Sequence, residues 1–212
     1  MHPTTPEHPH HRPTRTALRA LVLTASIILA GCSTTNGEEQ ATFDFYAPGG
    51  QTLIRYPVEE RKPVQDFSGP SLMDNDATIS LSDFDGQVVV LNSWGQWCGP
   101  CRTEADDLEE VHERISPQKA TVLGINVRDY NPEVSRDFVH DSGLTYPSIY
   151  DPPFKTATAL GGIPATVTPT TIVLDKQHRP AAVFLREITA KELLEVVQPI
   201  IDEPADNPKE NS

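Results

Sequence analysis

The apolar positions of this chain switch between two spacings, and the switches mark out a string of strands and helices. An unbroken run, Val88-Val89-Val90-Leu91, centres a strand expected over 87–93 and buried on both faces. Helical spacing follows: Leu108, Val111 and Ile115 share one face of a helix expected over 100–115, with Pro100 in the first turn, where its missing N–H has no partner to lose. A second apolar strand is expected at 121–127. Asn131-Pro132-Glu133 has the cap, first-turn proline and early acid of a helix start, and that helix should run to near Gly143. Next come a short strand at 146–150 and a helix over 154–160 stopped by Gly161-Gly162. Strands at 171–174 and 181–185 are joined by too few residues for a helical crossover, so they must be antiparallel. Thr189-Ala190-Lys191-Glu192 reads as a capping box for a last helix whose apolar face carries Leu193, Leu194, Val196, Val197 and Ile201. Upstream, the alternation of Ile79 and Leu81 supports a hairpin pairing 71–73 with 78–81 around Asp74-Asn75-Asp76, and 52–56 has the character of an edge segment packed on the domain. Alternating strands and helices with an antiparallel pair near the end define an α/β class.

Length changes this picture little: 212 residues hold one ordinary globular domain plus its ends. The first thirty-one residues differ from the rest. Arg12, Arg15 and Arg19 precede an apolar run over 20–30 that is too short for an ordinary transmembrane helix, which is the layout of a secretory signal. The run ends in Leu29-Ala30-Gly31-Cys32, which resembles the lipobox of bacterial lipoproteins and implies lipidation of Cys32. The alternative is an uncleaved anchor with an incidental cysteine. The expected division is a signal peptide at 1–31, a membrane-proximal linker at 32–63, a domain at 64–201 and a flexible acidic tail at 202–212. Net charge is -13, which argues against nucleic acid or bare anionic lipid as a partner.

Chemistry concentrates in Trp94-Gly95-Gln96-Trp97-Cys98-Gly99-Pro100-Cys101-Arg102-Thr103-Glu104. Strand gives way to helix here, so Cys98 falls at a helix N-terminus, where unpaired N–H groups and the positive end of the macrodipole favour a thiolate. Cys101, one turn further in, can close a disulfide with Cys98, making the pair a two-electron switch. A structural staple closing so short a loop would remove little chain entropy. A zinc site would need two more ligands, and beyond the signal region the chain offers only His112, His140 and His178, scattered.

At these residues, and at Thr168-Pro169-Thr170-Thr171-Ile172-Val173-Leu174-Asp175, the chain resembles the thioredoxin superfamily, and within it the membrane-tethered thiol–disulfide oxidoreductases of the TlpA, ResA and CcmG type. The resemblance covers roughly 64–201. It implies a thioredoxin-like fold: a central mixed β-sheet flanked by helices, with an N-terminal β-hairpin extension. Cys98 would be the nucleophile, exposed at the helix end, and Cys101 the resolving thiol. Glu104 matches a glutamate that ResA-type proteins carry near the cysteine pair, where it could take or give the thiol proton. Asn92 stands where cytoplasmic thioredoxins have a buried aspartate. Pro169 matches the superfamily's cis-proline, with the backbone of Thr168 offered to an extended substrate. Trp94 and Trp97 flank Cys98 as candidates for substrate contact or packing. The implied activity is reduction of protein disulfides, such as the haem-binding cysteine pair of apocytochrome c, by a lipid-anchored extracytoplasmic monomer without a cofactor. Electrons would come from a membrane thiol carrier of the CcdA type. The alternatives are a disulfide-forming oxidant of DsbA or DsbE kind on the same scaffold and a metal-binding chaperone of the Sco kind. A peroxiredoxin is disfavoured because Gly95 stands where it would need a threonine or serine.

Overall fold

The computed structural model describes residues 41–204; the signal region, Cys32 and the end of the acidic tail lie outside the described residues. In chain order the strands and helices are β1 (Leu53–Arg55), β2 (Ser68–Pro70), β3 (Thr78–Ser80), β4 (Val88–Trp94), α1 (Gly99–Ile115), β5 (Ala120–Asn126), α2 (Pro132–Asp141), β6 (Ser148–Tyr150), β7 (Thr170–Leu174), β8 (Pro180–Phe184) and α3 (Ala190–Asp202). Six strands form a sheet in the order β1-β8-β7-β4-β5-β6, with β2 and β3 paired separately. β4, β5 and β6 run parallel, whereas β7 is antiparallel to β4, β8 to β7 and β1 to β8. The short link between β7 and β8 enforces that antiparallel pairing, as expected.

β4 lies at the centre of the sheet and is buried throughout. Its side chains divide by the two-residue strand period: Val88 and Val90 join one apolar cluster, Val89 and Leu91 the other. On the first face the sheet meets Leu108, Val111 and Ile115 of α1, Val139 of α2, and Leu193, Val196 and Val197 of α3. On the second it meets Phe43, Val64, Phe67, Phe154, Leu160 and Ile163, which lie outside the strands and α-helices. Residues 41–63, which fall within the expected linker, therefore supply core side chains and, through β1, a sheet edge. Phe43 stands edge-on to Tyr56 with ring centroids 5.4 Å apart. The backbone at Phe43 and Phe45 also passes so close to Gly161 (φ 72) that a Cβ there would lie 2.7 Å from the Phe43 ring and 2.9 Å from its carbonyl. The left-handed turn and the close approach both require glycine.

Three local expectations are corrected. The hairpin uses Ser68–Pro70 rather than 71–73 opposite β3. Ser71 instead bridges Ile149, and Leu72 donates its N–H to Ser148 O at 2.8 Å, so Leu72 is apolar because it enters the main core. Over 154–160 only a 3-10 turn forms, at Lys155–Ala157. Phe154 is left-handed, and the Asp151 carboxylate takes the N–H groups of Lys155 and Thr156, satisfying one turn without a longer helix. At α3, Thr189 accepts from Glu192 N–H, but the Glu192 side chain pairs with Arg186, so only half of the capping box is made.

Candidate active site

The active turn is fixed before the first cysteine is reached. β4 ends at Trp94, and the turn that follows is held by Asp129, whose Oδ2 accepts from Gln96 N–H at 2.7 Å. The same oxygen accepts from Asn126 Nδ2 at 2.8 Å and Ser135 Oγ at 2.7 Å, so the end of β5, the loop after it and α2 converge on the backbone two residues before Cys98. A Cβ at Gly95 would lie 2.3 Å from the Trp97 ring nitrogen and 2.8 Å from Val127 O. No threonine or serine fits there without displacing both.

Cys98 is the N-cap of α1, and its Sγ accepts from Cys101 N–H at 3.3 Å. The two cysteines form a disulfide (S–S 2.08 Å, Cα–Cα 5.3 Å). Both residues are 4% exposed, so the expected contrast between an outer and an inner cysteine is absent in this oxidised form; position at the helix start is what sets Cys98 apart. Across from it, the Thr168–Pro169 bond is cis and the Thr168 carbonyl oxygen lies 3.7 Å from Cys98 Sγ. A reduced Cys98 thiol could donate to that oxygen; the disulfide sulfur cannot. Ser93 Oγ accepts from Thr170 N–H at 3.2 Å, tying the segment after Pro169 to β4.

Trp97 is 46% exposed, donates its ring N–H to Val127 O at 3.0 Å and carries the Arg128 guanidinium over its face at 5.4 Å. Arg128 also donates to Ala165 O, linking Trp97 to the loop before the cis peptide, and its own backbone is left-handed (φ 60). Trp94 is not part of this rim. It is 3% exposed and packs on Phe138 with centroids 5.6 Å apart, so packing, not substrate contact, is its role.

Glu104 is 1% exposed, one turn along α1 from Cys101. Its Oε1 accepts from Asn92 Nδ2 at 2.9 Å and its Oε2 from Ile188 N–H at 3.1 Å. Asn92 Nδ2 also donates to Thr171 Oγ1 at 3.0 Å, while its Oδ1 has no partner. Burial pushes the Glu104 pKa up to about 7, against the two hydrogen bonds that favour the anion and with help from the nearby charges of Glu187 and Asp107. Burial, then the Glu104 charge, also raises the Tyr146 phenol.

Of the residues singled out in the sequence, the structure gathers Cys98, Cys101, Thr168 and Pro169 in one place, with Trp97 on the rim and Glu104 one turn along α1. Sequence reading did not single out Arg128 and Asp129. An Arg-Asp pair in a loop carries no signal; Asn131-Pro132 marked the helix start beside them, not their direction. Among the described residues no three His, Cys, Asp or Glu side chains gather to hold a metal.

A Cys-x-x-Cys disulfide capping a helix after a central strand, opposite a cis-proline, defines a thioredoxin-like thiol–disulfide oxidoreductase. The chain belongs to the AhpC/TSA family, whose model matches residues 61–179. It is similar to a secreted thiol-disulfide isomerase from Corynebacterium glutamicum (58% identity, TM-score 0.75, covering 76% of this chain and 99% of that one). A DsbF homologue from Corynebacterium diphtheriae shares 60% identity at TM-score 0.72, over 75% of this chain and 99% of that one. Among curated sequences, the thiol-disulfide oxidoreductase ResA of Geobacillus thermodenitrificans is 30% identical over 122 residues, 56% of this chain and 68% of the relative.

Proposed function

We propose that the protein reduces disulfides of other proteins outside the cytoplasm, with Cys98 as nucleophile and Cys101 as resolving thiol. The observation that carries this reading is the Cys98–Cys101 pair at the start of α1, with the cis Thr168–Pro169 peptide beside it and the buried Glu104 carboxyl one turn along the helix. The Cys98 thiolate attacks a partner disulfide, forms a mixed disulfide and expels one partner thiolate. Glu104 as carboxylate then takes the Cys101 proton. The Cys101 thiolate attacks Cys98 Sγ, the new S–S bond forms, and the second partner sulfur leaves with the electron pair. Trp97, the Thr168 backbone and Pro169 bind the partner segment in this account.

The apolar run before Cys32 supports export and lipid anchoring, which would hold the domain at the outer face of the cytoplasmic membrane in reach of a thiol donor of the CcdA type. No helix among the described residues is long and apolar enough to cross a membrane. The client class suggested by the ResA-like resemblance is the haem-binding cysteine pair of apocytochrome c. A second reading, disulfide formation or isomerisation, is favoured by the two corynebacterial structures, one a secreted thiol-disulfide isomerase and the other a DsbF homologue. The equilibrium potential of Cys98–Cys101 in glutathione buffers separates the two. A value near the roughly -270 mV of thioredoxin supports the reductant, and one above about -150 mV supports the oxidant.

A further inference from the structure

Glu104 also borders a cleft that the exchange chemistry does not use. Although its residue is almost wholly covered, it lines a cleft of about 340 Å³ together with Thr103, Asp107, Arg186, Glu187, Ile188 and Thr189. None of these belongs to the loops around Cys98, which are built from 95–97, 127–130 and 163–168. Each carboxyl oxygen has its own partner. Oε1 is turned to Asn92 in the sheet, while Oε2 is held by the N–H of Ile188, a wall of the cleft. The walls are anchored: Asp107 Oδ1 accepts from Ala190 N–H at 2.7 Å, and the Arg186 Nη1–Glu192 Oε2 pair, 2.9 Å apart, lies on the side of α3.

We propose that this cleft is the path by which Glu104 exchanges protons with solvent, open on a surface separate from the one that a partner protein covers. The inference rests on Glu104 taking the Cys101 proton. Once a mixed disulfide forms at Cys98, the partner excludes water from that side, and where Glu104 still holds a proton at pH 7 that proton needs another exit before the carboxylate can take the one on Cys101. Glu187, from the segment before α3, and Asp107 of α1 act on the carboxyl by charge, and Arg186 and Glu192, paired with each other, also line the cleft. Tyr146 feels the Glu104 charge on the inner side, where Asn92 is the hydrogen-bonding neighbour. Three carboxylates and one guanidinium around the opening favour proton release along it over entry of an anion. In the step concerned, Cys101 S–H gives its proton to Glu104, Cys101 Sγ bonds to Cys98 Sγ, the partner sulfur departs as thiolate, and the Glu104 proton passes to water in the cleft.

The test closes the cleft from either wall, with Thr103→Phe or Glu187→Phe, and uses Glu187→Gln as a control for charge alone. Reduced protein is mixed with an aryl disulfide that releases a coloured thiolate, so the second release reports attack by Cys101. Each plug should slow that phase about tenfold at pH 7, leave the potential of the couple unchanged, and have no further effect in a Glu104→Gln background. Glu187→Gln, which removes one charge but leaves the cleft open, should show only a small change and not the tenfold slowing of the plugs. Equal slowing in the Glu104→Gln background, or a shifted potential, overturns the proposal. So does a folded plug variant at full speed. If Glu104→Gln itself leaves the second phase and its pH dependence unchanged, the role of Glu104 fails and the cleft falls with it. Full speed in both plugs beside an impaired Glu104→Gln removes only the cleft.

Discussion

A carboxyl group that is buried and still half-ionised near neutrality has a measurable cost. Because the folded protein holds the Glu104 proton up to about pH 7 while an unfolded chain releases it near the ordinary carboxylate value, the folded state binds more protons in between. Stability should therefore fall as pH rises from about 4.5 to about 7, by roughly 2–3 kcal/mol, and stay lower above that. Glu104→Gln removes the ionisation and can still receive the Ile188 N–H, so it should unfold at higher denaturant than wild type at pH 8 and show no fall through this window. Denaturant midpoints between pH 4 and 8 check this, and parallel curves for the two proteins contradict it. Asp129 matters for the turn it anchors. It is buried with three donors on one oxygen, from Gln96, Asn126 and Ser135, so Asp129→Ala strands all three and should cost about 3 kcal/mol by the same denaturant assay. Its loss should also slow thiol exchange, since the turn leading into Cys98 loses its anchor.

Among the elements, those with long apolar periods were legible from the chain alone, and those whose apolar residues serve a distant neighbour were not. β4, β5, α1, α2, β7, β8 and α3 each lie within a residue or two of expectation because burial on a full face fixes their pattern. Leu72 and Phe154 misled for one reason: each is apolar to fill the core of the main sheet, which local spacing cannot distinguish from a strand or helix of its own. The active pair could be placed on a helix start by pattern, whereas Asp129 became visible only once β5 and α2 were folded around it. The segment before β2 has an equally specific job. Phe43, Ile54 and Val64 close the second sheet face. Phe43→Ala should therefore destabilise the domain by about 3 kcal/mol, a loss readable in thermal or denaturant unfolding; an unchanged midpoint would mean that this segment rests on the domain without supporting it.

For the whole molecule, two surfaces around one helix divide the labour. The start of α1 presents the sulfur pair beside Trp97 and the cis peptide, and the next turn carries the carboxyl between sheet and cleft. Charge sets the setting: at -13 overall, with Arg128 over Trp97 at the rim, encounters with basic and acidic partners should respond differently to salt. Which sulfur meets the partner decides the mechanism. With Cys101 replaced by Ser, reduced protein should trap a partner protein as a mixed disulfide through Cys98 alone, seen as a mass shift that a thiol reductant reverses. Cys98→Ser, with Cys101 intact, should trap none. A complex formed through Cys101, or no complex with any protein disulfide from a protein whose pair still closes on oxidation, would contradict it.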